Sequence, residues 1–215
     1  MKAACTACST VWNGCSRSAE TDMAARKILF GRNSACIQPL RALIEEQTHR
    51  TLTAWALDCA APYADFFEAR QPGDARPREA LRLACAWSRG EIKMPAAKRA
   101  ILAAHAAASE AACPAAEAAA RAAAHAASTV HVETHALGLA FYGLTALALE
   151  AGPQAADRAV ENELARLYGR LLYWRDNIDA HPRPWAAFLL RDAPNKERLL
   201  HEKTGGKPGM RTPRP

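Results

Sequence analysis

The residues of this chain whose types and spacing could do chemistry are few, and most lie between positions 74 and 135. His131 and His135, within His131-Val132-Glu133-Thr134-His135, are four positions apart, so on a helix both imidazoles face one point, as a metal ion requires. A two-histidine zinc hydrolase needs a glutamate directly after the first histidine, whereas Glu133 lies two residues on and turns away from both. A third ligand could come only from a neighbouring helix, at His105 or His125. The bland interpretation, histidines hydrogen-bonded between helices, is preferred. No metal or other cofactor is expected, and His131, His135 and His105 are the weak candidates.

A second constellation is the charged run Asp74, Arg76, Arg78, Glu79, Arg82, Arg89 and Glu91, which borders Trp87. Arg78 and Arg82 are one helical turn apart and could clamp a carboxylate, or could equally pair with acids of the same chain. A third is Cys5, Cys8 and Cys15, a Cys-x-x-Cys without the second pair a structural zinc site wants. Seven scattered cysteines in a chain that opens without an apolar export segment read as reduced thiols. There is no Gly-rich phosphate loop, no nucleophile elbow and no paired-carboxylate pattern, so an enzyme is not expected.

The elements that must position these residues are helices. Fifty-one of the 215 residues are alanine, and β-branched residues are scarce. Leu52, Trp55, Ala56, Cys59, Tyr63, Phe66 and Phe67 form one apolar stripe over 48–70, with Pro62 expected to kink that helix. Gln71 to Asp74 is a turn. Further helices are expected over 36–46, 77–88, 95–112, 114–130, 131–150 and 154–179, with a short helical turn at 185–190. The fold class is all-α, an antiparallel bundle or a short solenoid of helix pairs with six to nine helices. Trp55, Phe66, Leu83, Leu144, Leu167 and Leu171 are the expected core.

Residues 1–22 read as an irregular extension, with Met23 as an alternative start; 23–193 form a single helical domain. The remainder, 194–215, holds six Lys/Arg against two Asp/Glu, so +4 of the formal +6 sits there and only +2 on residues 1–193. That Gly/Pro-rich basic tail is expected to be disordered. A near-balanced body argues against specific nucleic-acid binding. No apolar run is long enough to span a membrane, and the expected location is the cytoplasm.

Several segments carry a resemblance. Asp58-Cys59-Ala60, DARPREAL at 74–81, WSRGEI at 87–92, AAHAAASEA at 103–111, AAARAAAHAASTVHVETHALG at 118–138 and Tyr142 come in the order of a bacterial helical family. That family comprises immunity proteins of polymorphic toxin systems, and the similarity covers roughly 50–150. His125 departs from it, standing where a glutamine is expected. What the resemblance implies is a protein that binds and neutralises a cognate toxin. The alternatives are a helical-repeat scaffold for another intracellular protein, or a metal-binding enzyme built on His131 and His135. If there is one functional surface, it lies where 74–91 and the HVETH segment meet. It would use Arg76, Arg78, Trp87, Arg89, Glu91, His131, Glu133 and His135, residues that core packing does not require.

Overall fold

The computed structural model describes residues 28–180, 183–191 and 193–204, and the expected irregular extension at 1–22 lies outside them. Every regular element among the described residues is helical. In chain order the α-helices are α1 Gln38–Glu45, α2 His49–Cys59, α3 Ala61–Arg70, α4 Arg76–Ser88, α5 Met94–Ser109, α6 Pro114–Ser128, α7 Ala136–Ala151, α8 Ala156–Asn177 and α9 Lys196–Thr204. Short 3-10 turns occupy Ala35–Ile37, Glu133–His135 and Ala187–Leu190. None of these helices is long and apolar enough to cross a membrane.

Proline sets most of the starts. It stands in the first turn of α1, α3, α4, α5 and α6, where its missing N–H leaves no helical bond unmade. Thr48 caps α2 by accepting a hydrogen bond from the Thr51 amide at 3.2 Å. Pro62 does more than kink the expected 48–70 helix: α2 ends at Cys59 and α3 starts at Ala61 around it. Gly90 and Gly152, at φ 78° and 70°, take left-handed backbone just past the ends of α4 and α7.

The centre of the bundle is α6. Ten of its alanines are buried, and it packs on α7, α5, α3, α4 and α2. A helix lined by methyl groups lets its neighbours come close on nearly every side. Around it, Trp55, Phe67, Leu137, Leu139, Leu144, Leu167 and Leu171 fill the larger spaces, and the Trp55 indole donates to the Leu167 carbonyl at 2.9 Å. Phe66 and Leu83 are only partly buried, against expectation. Phe66 lies under the Arg70 guanidinium, 3.5 Å from its ring centre.

Two segments differ from the sequence expectation. Four of the six residues at 129–134 are β-branched (Thr129, Val130, Val132, Thr134), which opposes helix. The chain therefore turns at Thr129–His131, extends at Val132 (φ −144°, ψ 124°) and re-enters helix only at Ala136. The other lies within the expected tail. Asn195 is buried; its amide donates to the carbonyls of Ile44 (2.8 Å) and Gln47 (2.9 Å), and its oxygen accepts from the amides of Glu197 and Arg198. One side chain thus caps α9 and ties it to the end of α1. Glu197, fully buried, takes a bidentate pair from Arg32 at 2.7 and 3.0 Å. The docking is polar, so a search for apolar residues passes over it; residues 205–215 lie outside the described set.

Leu167→Ala is expected to cost on the order of 2–5 kcal/mol, the range for a leucine truncated in a packed core. Asn195→Ala, which leaves the Gln47 carbonyl without its donor and removes the cap of α9, is expected to cost about 1–3 kcal/mol. Urea titration of both variants checks this, and a loss below about half a kcal/mol at Asn195 would mean that its bonds to Ile44 and Gln47 do not hold α9 in place.

Candidate functional site

Most of the expected arginines are already matched within the chain. Arg76 holds Asp74 and reaches Glu110 at 2.6 Å. Its hydrogen bond is the main force keeping the Asp74 carboxyl below the usual range. Arg78 and Arg82 do not share a carboxylate: Arg78 grips Glu68 of α3 at 2.6 and 2.7 Å and adds Asp65 at 2.5 Å. Arg82 pairs with Glu79 instead, and Arg89 with Glu91 at 2.6 and 3.0 Å. Arg76 and Trp87 are eleven residues apart along α4, so they stand about 16 Å from one another.

The two stretches do meet, at one end. Trp87 stacks on His131 with ring centres 6.1 Å apart and 29° between planes, and Phe188 closes on the same indole at 5.4 Å. Trp87 is nearly buried while His131 is exposed. Glu133 turns inward from this contact and is buried. It accepts from the Lys196 amide at 2.9 Å, and the Lys196 ammonium lies 3.5 Å from its other oxygen. His49 Nδ1 lies 3.8 Å from that oxygen as well, while its Nε2 is bonded to the Thr129 carbonyl at 2.7 Å. Glu133 therefore serves packing, holding α9 and α2 to the turn before α7.

His135 belongs to a different cluster from His131. Because 131–135 is not one continuous helix, the two imidazoles do not face a common point. His135 instead approaches His125 of α6, Nδ1 to Nδ1 at 3.2 Å, and His105 of α5 meets the His125 ring edge-on at 5.5 Å. Tyr142 stacks on the His125 ring at 5.0 Å. Gly138 makes the seat, since a Cβ there would collide with the His125 ring. Among the described residues no three His, Cys, Asp or Glu side chains are arranged to hold a metal ion. The place expected for His131 beside His105 and His135 is taken by His125. The sequence offers His125 only as an alternative to His105 for a third ligand, and the two histidines in fact touch. Phe188 has no sequence signal.

Burial, and then the neighbouring histidines and Arg121, push the His125 imidazole down to about 3. Burial also lowers His105 and His135. Burial therefore favours the neutral form of all three rings, and each proton that the cluster takes up costs folding energy.

The family model described as Imm-5 like putative immunity protein matches residues 42–170, from within α1 to Arg170 of α8. No curated protein and no solved structure matches the chain.

The histidine cluster fixes a pH response. The folded-state value of His125 lies below the unfolded value of about 6.5, so the unfolded chain takes up protons that the folded one refuses. Stability is complete above about pH 6.5 and is lost as pH falls toward about 3, with a cost on the order of 1–2 kcal/mol by pH 5. His125→Gln should flatten the stability profile between those limits, measured by urea titration at several pH values. An unchanged slope would place the acid sensitivity elsewhere.

Proposed function

The chain belongs to the Imm-5 like immunity family, and on that premise we propose that it binds a bacterial toxin domain in the cytoplasm and neutralises it by covering its working surface. The family match over 42–170 carries this reading, because it spans α2 to α7 and so the whole packed centre of the bundle. The family points to a non-enzymatic role, and a rigid helical surface suits occlusion: interfaces that change little on binding lose little ordering entropy. The contact between Trp87 and His131 is the proposed anchor of the docking face, with Arg89 and Glu91 on its rim. Tryptophan and arginine are the types most enriched where binding energy concentrates.

Production of this chain together with the toxin domain encoded beside its gene tests the proposal. Co-purification in a defined ratio and restored growth of toxin-producing cells are expected. An active toxin that neither binds the chain nor is restrained by it would reject the immunity role. His131→Ala, at an exposed position, should weaken the complex while leaving the melting temperature unchanged.

A further inference from the structure

Helix α5 carries a surface that its own fold does not use. Ile101 is buried toward the bundle, whereas Leu102 beside it is 57% exposed. Met94, 41% exposed, and Lys98 precede Leu102 at four-residue steps, so the three form one outward stripe. In a helix otherwise dominated by alanine, a solvent-facing leucine and methionine add nothing to the core. On the side of α5 that faces α4, away from this stripe, a separate shallow groove is lined by Ala100, Ala103, Gly73, Asp74 and Arg76.

The charges around the stripe set it apart. Arg76, Arg78, Arg82, Arg89 and Arg121, on α4, the loop after it and α6, are each matched to a carboxylate. Lys93, Lys98 and Arg99 are exposed and have no ion pair with any described residue. Three cations with no ion pair among the described residues, at one end of a helix and beside the exposed Met94 and Leu102, describe a receptor for a segment that is acidic and apolar at once. Phosphate backbones fit less well, because they offer nothing apolar to cover the exposed Met94 and Leu102 side chains.

We infer that the outward face of α5, centred on Met94, Lys98, Arg99 and Leu102, docks an acidic, partly apolar segment of a partner protein. The inference rests on the immunity reading and names the chemistry of the toxin surface it covers. Carboxylates of the partner meet Lys98 and Arg99, and apolar side chains of the partner cover Met94 and bury Leu102 on contact. Arg89 and Glu91 lead directly into this helix along the chain.

The probe is the toxin domain encoded beside the gene, titrated against the full chain, its Lys98→Glu/Arg99→Glu variant and its Leu102→Asp variant. All three positions are exposed, so circular dichroism and melting temperature should match the parent; Lys98→Ala with Leu102→Ala serves if a harsher variant fails to fold. The expected result is binding weakened roughly tenfold or more in each harsh variant. Parent affinity should also fall as salt rises from about 0.05 to 0.3 M, as screening of charged contacts requires. Variants that bind and protect like a toxin-binding parent would overturn the α5 assignment and leave the immunity reading standing. A parent that ignores an active toxin would overturn both. If the parent binds duplex DNA or anionic phospholipid vesicles, and the charge-reversed variant does not, the acidic-protein assignment is overturned.

Discussion

Helix α6 can sit inside the bundle only because almost every side chain facing its neighbours is a methyl group. Ala116, Ala119, Ala120, Ala123, Ala124 and Ala127 have no exposed surface, and helices approach from both sides of the chain order, α2, α3 and α4 before it and α5 and α7 around it. The remaining face is a single polar stripe, Glu117, Arg121 and His125, at four-residue steps. Glu117 and Arg121 pair with each other at 2.6 Å, and His125 supplies the ring that α5 and α7 meet. The histidine cluster is thus a direct result of how the central helix is enclosed.

Because alanine supplies little area per residue, much of the specificity comes from polar groups buried at the edges. Tyr63 donates to Glu163, which Arg166 also holds, and Arg166 reaches back to the Cys59 carbonyl at 3.2 Å. Burial and then the Glu163 charge push the Tyr63 hydroxyl well above its ordinary value, so it stays a donor. Glu197 with Arg32 and Glu133 with Lys196 do the same at the C-terminal helix. A buried charge is tolerable only while matched, so each of these contacts fixes one docking geometry and rejects others.

Helix starts and stops were the legible part of the sequence. Pro77, Pro95 and Pro114 open α4, α5 and α6, and Gly90 and Gly152 follow the ends of α4 and α7, because those residue types act through local backbone geometry. The stripe through Leu167 and Leu171 was equally legible, since apolar burial follows helical period. What escaped was long-range and polar. Asn195 and Glu197 look like residues of a solvated tail until Ile44, Gln47 and Arg32 are placed beside them. The HVETH segment reads as helix from its neighbours but not from its β-branched residues. Of the candidate site, the meeting of Trp87 with His131 follows from an expectation about two segments. The pairing of Arg78 with Glu68 needed the turn between α3 and α4 in three dimensions.

The alanine lining of α6 also inverts the usual pattern of mutational sensitivity. In most cores the damaging change removes atoms and leaves a void. Here the buried positions have little left to lose, and the neighbouring backbones stand at the distance a methyl group allows. Drift in this helix can therefore proceed mainly toward glycine, at the expense of helix propensity, or toward larger residues, which would have to push helices apart. Sequence change compatible with the fold is thereby channelled outward, onto the exposed faces, where it leaves the bundle beneath untouched.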